Sequence, residues 1–245
     1  AVRSAAVPSA RGRFASCYDK ARGETLVFGG TDLSGPNNEL WAFKDGWKKR
    51  TAPNGPSARE GVAMAYDTHT GDIILFGGKS AAGLENDTWK YANGRWTKLS
   101  VATAPPARWR HALVYDAGRR AFLLYGGRSA GYLNDTWVLK GTVWTRIAGS
   151  SAGARASHGM VYDAKGRRCI LFGGANASGV LGDTWAFKSG AWSRITGQAR
   201  MARAGAALAY DAAANRVVLF GGWRGENLYQ ADTWVFQGNR WKTLA

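Results

Sequence analysis

The stretch RWRHALVYDAGRRAFLLYGG at residues 108–127 is followed by NDTWVLKGTVW at 134–144, and the same pattern recurs four more times. In each copy an arginine precedes a Tyr-Asp pair, an apolar run ends in Gly-Gly, and two tryptophans follow. The glycine pairs lie at 29–30, 77–78, 126–127, 173–174 and 221–222, which gives a period of 47–49 residues. Such a period is typical of one supersecondary unit copied along a chain.

The repeats account for nearly all of the 245 residues, so we expect one domain at 1–245 rather than two independent ones. Measured from the arginine that begins each repeat, the predicted units lie at about 11–50, 59–99, 108–147, 155–195 and 203–244.

Each repeat predicts four strands, which we name A to D. Small and large residues alternate up to the Tyr-Asp pair, as in GMVY at 159–162, and a period of two indicates strand A. The continuous apolar run before Gly-Gly predicts strand B, buried on both faces. The two tryptophan segments predict strands C and D. Because one face of strand A is always small, we expect it where the sheets converge, at the centre.

Four hairpin-linked strands without helical periodicity are typical of a β-propeller blade. One blade cannot bury both of its faces alone, so the blades must stack on one another. The repeats run from Arg11 to Trp241 with almost nothing left over. We therefore predict an all-β fold, a single closed five-bladed propeller with four antiparallel strands per blade.

The repeat resembles the kelch family in three features: the double glycine after an apolar run, the downstream pair of tryptophans, and an Arg-x-x-His start to strand A at Arg108 and His111. The resemblance covers the whole chain, although kelch propellers usually have six or seven blades. Either the ring closes at five, which the tiling of the repeats favours, or the 245 residues are part of something larger. The resemblance implies a kelch-like propeller and, as the usual role of such propellers, a non-catalytic binding or protein-interaction module.

The composition bears on the kind of partner. The chain has 33 Lys and Arg against 17 Asp and Glu, for a formal charge of +16. These basic residues are scattered over all repeats rather than gathered in a tail or helix, which does not favour nucleic acid. No apolar run approaches the roughly 18 residues of a membrane span. We expect a monomer, and the Ala-, Gly- and Arg-rich composition is typical of GC-rich bacterial genomes.

Strand direction predicts where a ligand binds. Since strands alternate, the B–C and D–A connections emerge on one face, which we name the loop face. That face collects irregular tryptophans and arginines, residue types enriched at binding hot spots. We predict that it holds a protein or peptide, or a small anionic ligand, at the mouth of the central tunnel. The candidate ligand-binding residues are Arg59, Arg108, Trp109, Arg110, Arg155, Arg203, Trp223 and Arg224.

The repeat arginines have a second interpretation. An acid lies two residues before the first tryptophan of every repeat, and five acids could pair with five arginines. A paired arginine can still present spare donors to a ligand, so both interpretations stay open. The acids are Glu39, Asp87, Asp135, Asp183 and Asp232.

The sequence predicts no catalytic residue, metal site or cofactor. His111 and His158 occupy equivalent positions in adjacent repeats, where histidine packs in kelch proteins, and no further ligands accompany them. The alternative to an interaction module is a sugar-type small-molecule site, or a mutarotase-like enzyme, at the tunnel mouth.

Overall fold

In the computed structural model, which describes residues 7–197, 201–225 and 228–244, the chain forms five four-stranded antiparallel sheets in sequence order. Strands A are Ala15–Asp19, Ala63–Tyr66, Ala112–Asp116, Gly159–Asp163 and Ala207–Asp211. Strands B are Glu24–Phe28, Ile73–Phe76, Ala121–Tyr125, Arg168–Phe172 and Arg216–Phe220. Strands C are Leu40–Phe43, Thr88–Ala92, Thr136–Lys140, Asp183–Lys188 and Thr233–Gln237. Strands D are Trp47–Arg50, Arg95–Lys98, Val143–Ile147, Ala191–Gly197 and Arg240–Leu244.

Short strands form three further small sheets on the loop face, two with two strands and one with three. They are Thr31–Asp32 with Gly35–Pro36, Arg59–Glu60 with Lys79–Ser80 and Gly83–Leu84, and Ala175–Asn176 with Gly179–Val180. The part of the chain that is described contains no α-helix, and accordingly no helix able to cross a membrane. The predicted all-β architecture with four antiparallel strands in each sheet is confirmed.

We number the five sheets as blades 1 to 5 in chain order. Within every sheet the order is A-B-C-D, so strand A forms one edge and strand D the other. Strand A of each blade contacts strand A of the next blade along the chain, from blade 1 to blade 5. Strand B is buried throughout blade 3, from Ala121 to Tyr125, because it is covered on both faces by neighbouring sheets. The edge formed by strand A therefore lies at the centre of the arrangement.

An aromatic contact joins each blade to the next. The aromatic residue that ends strand B packs on the tryptophan of strand D in the following blade, with ring centroids 4.8–5.3 Å apart. Such tilted or edge-on pairs add about 0.5–1.5 kcal/mol beyond the area they bury. Each contact lies inside one of four hydrophobic cores between successive blades. The pairs are Phe28–Trp96, Phe76–Trp144, Tyr125–Trp192 and Phe172–Trp241.

Blades 5 and 1 are not joined in this way. Within the described residues no hydrophobic core lies between them. Phe220, the aromatic residue at the end of strand B in blade 5, is 54% exposed, whereas its four counterparts are at most 1% exposed. Among the described residues, the boundary between blade 5 and blade 1 therefore lacks the hydrophobic core and the aromatic contact that the other four boundaries share. Closure of the ring at five blades stays a prediction.

The glycine pairs allow the blades to approach closely. Gly126 and Gly127 have φ values of +60° and +101°, which L-residues with side chains rarely adopt. A Cβ atom on Gly126 would lie 2.7 Å from the carbonyl oxygen of Arg155 in blade 4. The pair is therefore required by blade packing as well as by the turn.

A matched pair of substitutions separates these two requirements. Gly141 has the same φ of +60° as Gly126, but a Cβ atom there would meet nothing within 4 Å. We expect Gly141→Ala to cost about 1–2 kcal/mol of unfolding free energy from backbone strain alone. Gly126→Ala should cost about 1–3 kcal/mol more, because it also pushes blade 4 away. Urea unfolding of both variants measures the difference, and equal costs would contradict the packing argument.

Candidate functional site

The starts of the five A strands surround a central opening of about 930 Å³ on the loop face. One residue from each blade forms its rim, at the position two after the repeat arginine. All five have positive φ values, from +54° to +66°. These rim residues are Arg13, Gly61, Arg110, Ser157 and Gly205.

The rim is held by hydrogen bonds from blade to blade. The backbone N–H of each rim residue from blade 2 to blade 5 donates to the carbonyl of the preceding rim residue, at 2.7–2.9 Å. The left-handed conformation turns the peptide groups so that they point along the rim. The backbone is thus fixed, whereas the side chains differ from blade to blade. In blades 1 and 3 that side chain is an arginine.

Positive side chains gather around Trp109. The guanidinium carbon of Arg110 lies 4.1 Å from the centroid of the indole ring, within cation–π range. Lys79 Nζ lies 5.5 Å from it, and the guanidinium carbon of Arg13 lies 6.0 Å from it. Arg13 also donates from Nη1 to Glu60 Oε2 at 2.9 Å. Blades 1, 2 and 3 thus contribute to one cluster, which we name the Trp109 cluster.

The charge of Arg110 is destabilised by its surroundings. Burial lowers the pKa of its guanidinium group, and the nearby charge of Arg13 lowers it further. Glu60 opposes this shift, and Arg128 adds to it. Arg128 itself lies over the ring of Tyr132, at 5.2 Å. A second negative charge beside Arg110 would therefore be favourable.

Blade 5 provides the opposite side of the opening. Trp223 and Tyr229 line it, and their backbones pair in an isolated bridge. Tyr229 is 77% exposed. Arg224 follows Trp223, and its backbone N–H donates to the carbonyl of Leu228 at 3.0 Å. Trp223 therefore shares the opening with Arg110, although the two lie in different blades.

The repeat arginines are placed differently, beneath the loops. Arg108 donates from Nη1 and Nη2 to the two carboxylate oxygens of Asp135, at 2.6 and 2.8 Å. It also donates to the carbonyls of Gly126 and Pro106. The same bidentate pairing recurs in blades 2, 4 and 5, where the arginine side chains are at most 3% exposed. These pairs are Arg59–Asp87, Arg155–Asp183 and Arg203–Asp232.

The structure therefore brings together two of the eight candidate residues, Trp109 and Arg110, in one cluster. Trp223 lines the opposite side of the opening, and Arg224 follows it in the chain. The other four candidates have buried side chains that are paired with aspartates beneath the loops; they are Arg59, Arg108, Arg155 and Arg203. Sequence reasoning missed Arg13, Lys79 and Glu60. Arg13 had a usable signal, because it occupies in repeat 1 the same position as Arg110 in repeat 3.

The two equivalent histidines are packed among aromatic and apolar groups. His111 lies edge-on to Phe76 with ring centroids 5.5 Å apart, and His158 lies likewise against Tyr125 at 5.6 Å. Burial, together with the charge of Arg108, lowers the pKa of His111 to about 3. The imidazole is therefore neutral at physiological pH. Among the residues described, no group of three or more His, Cys, Asp or Glu side chains could hold a metal ion.

The buried Arg108–Asp135 pair yields a stability prediction. Arg108→Met would leave the carboxylate of Asp135 without its paired positive charge, with only the indole N–H of Trp137 as a side-chain donor, and would remove the arginine donor to the carbonyl of Gly126. Breaking a buried ion pair by removing one partner costs about 3–5 kcal/mol. We expect that loss in the free energy of unfolding measured with urea. Arg95→Met, at an exposed position in strand D of blade 2, is the control and should change stability by less than about 0.5 kcal/mol. Similar losses in both variants would contradict this assignment.

The paired aspartates also predict acid sensitivity. Burial acts to raise the pKa of Asp87, Asp135 and Asp183, but their arginines leave each pKa below its ordinary value. At the more open Asp232, the hydrogen bond from Arg203 lowers the pKa to about 2.

The direction of the pH effect follows from these pKa values. A carboxylate whose pKa is lower folded than unfolded, where it is about 3.9, stabilises the fold above about pH 4. That contribution is lost as pH falls through the folded-state pKa. Urea unfolding from about pH 5 to about pH 2 should show a steep loss of stability, with a smaller slope for Asp232→Asn. An unchanged slope in that variant would show that the pair contributes nothing to acid sensitivity.

Comparison with known families agrees with the repeat pattern. A family model described as the KLHDC2/KLHL20/DRC7 Kelch-repeats domain matches the chain twice, at residues 2–148 and at 90–245. The two matches together span almost the whole sequence. No curated protein matches the chain. The resemblance predicted from the double glycines and tryptophans is confirmed, and the chain belongs to the kelch-repeat family.

Proposed function

We propose that this domain is a protein-interaction module that holds an acidic segment of its partner at the Trp109 cluster. Kelch-repeat domains generally mediate protein–protein interactions, and the proposal adds the surface and the chemistry of the ligand. The observation that carries it is the crowding of Arg13, Lys79 and Arg110 around one tryptophan, with Glu60 as the paired acid.

Electrostatics support an anionic ligand. Arg110 is half-buried, and two neighbouring arginines oppose its charge. Cations that line a concave surface focus the field and raise the local concentration of anions. A carboxylate placed beside Arg110 would relieve this repulsion and accept charge-assisted hydrogen bonds, which are stronger than neutral ones.

The aromatic residues fit the same role. Trp109 is half-buried, with its ring covered by Arg110, and Trp223 and Tyr229 stand on the far side of the opening. Tryptophan, tyrosine and arginine are the residue types that dominate binding hot spots. In this proposal Trp109 and Arg110 bind the ligand directly, and Trp223 and Arg224 border it. The four repeat arginines, Arg59, Arg108, Arg155 and Arg203, contribute by holding the loops in position.

A small molecule is the second candidate, and the size of the opening favours it. Its volume of about 930 Å³ lies within the range of about 300–1,000 Å³ that is usual for small-ligand pockets. A sugar-type ligand would depend on hydrogen bonds rather than on charge, so its affinity would respond weakly to salt.

The test uses a fluorescein-labelled hexaglutamate peptide as the probe, with binding followed by fluorescence anisotropy. Arg110→Gly gives the rim the residue that Gly61 and Gly205 already place there, in the same backbone conformation. We expect Arg110→Gly to weaken binding about tenfold, the loss of one hydrogen bond to a charged group. Raising the salt concentration should weaken the wild-type affinity as well.

The control removes a positive charge elsewhere. Arg95 is exposed at the start of strand D in blade 2, near the face opposite the loop face. Arg95→Ala should leave the affinity for hexaglutamate unchanged. Equal losses from the two variants would show attraction to the overall charge of the domain and would overturn the proposed site.

A further inference from the structure

Arg110 differs from the repeat arginines in how its guanidinium donors are used. Arg108, for example, donates to Asp135 and to the carbonyl of Gly126. The guanidinium of Arg110 lies instead over the ring of Trp109, and within the described residues it forms no hydrogen bond or ion pair. A guanidinium has five N–H donors in one plane. Stacking on the indole ring therefore orients the donors of Arg110 and leaves them available at the central opening that it lines.

Positive charge exceeds negative charge around this side chain. Glu60 accepts a hydrogen bond from Arg13 at 2.9 Å. Lys79 lies directly opposite Glu60 in the small three-stranded sheet, but in the part of the chain that is described neither Lys79 nor Arg128 has an ion-pair partner. Four cations, including Arg110 itself, therefore accompany this one paired carboxylate. A ligand with more than one negative charge would balance them best.

The rim leaves room for such a ligand between its two arginines. Gly61 lies between Arg13 and Arg110 on the rim, joined to both by backbone hydrogen bonds of 2.8 and 2.7 Å. A Cβ atom on Gly61 would lie 3.1 Å from Cε3 of Trp109 and 3.4 Å from Cγ of Arg110. The glycine thus lets the indole ring and the arginine pack on the rim backbone, and no side chain stands between the two guanidinium groups.

This arrangement fits a phosphate group better than a carboxylate. A carboxylate has one charge and two oxygens, so it is satisfied by one guanidinium. A phosphorylated side chain has a charge of about −1.5 to −2 at pH 7 and three strong acceptor oxygens. The cations around Trp109 come from three blades, and three oxygens can accept from several of them together. Arginine is also the side chain whose planar fork best matches phosphate.

We propose that the Trp109 cluster binds a phosphorylated side chain of the partner protein, so that phosphorylation of the partner controls binding. This inference rests on the proposed function and specifies its ligand. Arg110 would donate to two phosphate oxygens, and Arg13 and Lys79 would supply the remaining positive charge. Residues that flank the phosphorylated side chain would occupy the rest of the opening, beside Trp223.

The test compares two fluorescein-labelled peptides with blocked termini by fluorescence anisotropy. One has a phosphoserine between three glutamates and two glutamates, and the other is heptaglutamate. Their charges are about equal near pH 7.5, because the phosphate contributes about two. We expect the phosphopeptide to bind at least about tenfold more tightly. Equal affinities would overturn this inference and leave the proposed function intact. Failure of both peptides and of hexaglutamate to bind would overturn both.

A conservative variant separates the arginine fork from its charge. Arg110→Lys keeps the positive charge but cannot donate two hydrogen bonds from one plane. It should weaken binding of the phosphopeptide about tenfold and change the affinity for heptaglutamate less than about threefold. Arg95→Lys, the same exchange at an exposed position in strand D of blade 2, should change neither affinity. Equal losses for both peptides in Arg110→Lys would show that charge alone is recognised, and the inference would be wrong.

The pH dependence gives a further readout. The second pKa of a phosphorylated side chain is about 6, so the dianion gains a proton between about pH 7.5 and about pH 5.5. Over that range the affinity for the phosphopeptide should fall about threefold. Glutamate, with a pKa of about 4.3, stays ionised, so heptaglutamate reports any titration of the protein itself. The pKa values of His111 and His158, which also line the opening, are lowered by burial to about 3, and both remain neutral. A parallel fall for both peptides would contradict the inference.

Nucleic acid also carries phosphate, so a single-stranded oligonucleotide of six thymidylates is the last probe. We expect it to bind more weakly than the phosphopeptide. Tighter binding of the oligonucleotide that Arg110→Lys also weakens would assign the phosphate to a nucleic acid and overturn the assignment to a phosphorylated protein.

Discussion

A buried arginine paired with a carboxylate is the interaction on which each blade depends. It joins the connection before strand A to the connection after strand B, which are far apart along the chain. In blade 3, Arg108 binds Asp135 and the carbonyl of Gly126, and the indole N–H of Trp137 donates to the same carboxylate. Such a pair costs desolvation energy, which is offset only when all its donors and acceptors are satisfied. Here the backbone carbonyls satisfy them, and the loop conformation is fixed as a result.

This arrangement divides the arginines of the domain into two groups. The repeat arginines are used internally, and their number matches the number of acids placed to receive them. The arginines that break the repeat pattern, Arg13 and Arg110, lie on the rim and leave charge at the surface of the opening. The excess of positive charge over the whole chain, +16, is therefore less informative than the position of these few side chains. Together with Lys79 of blade 2, these two arginines of blades 1 and 3 surround Trp109.

The periodic part of the molecule could be predicted from the sequence. The strands, their order and the kelch family follow from residues that recur five times, and the acids two before each first tryptophan suggested the buried pairs. The Trp109 cluster could be predicted only in part, because Lys79 and Glu60 occupy positions without a repeated signal. The exposure of Phe220 at the boundary between blades 5 and 1 could not be predicted, since the angle between adjacent sheets depends on how side chains such as Phe76 and Trp144 fill the space between them. That angle has no signature in the spacing of residues.

The rim residues, which have left-handed backbone conformations, contribute to the fold through their backbone and can contribute to binding through their side chains. The backbone hydrogen bonds of the rim are formed equally by glycine, serine and arginine, as Gly61, Ser157 and Arg110 show. A side chain can therefore be exchanged at a rim position without altering a sheet or a blade boundary. The positions form a circle of variable sites on a constant frame, comparable to the variable loops of a binding scaffold. Relatives of this domain can thus diverge in what they bind while their blades stay the same, and the same circle offers a place to install a new specificity.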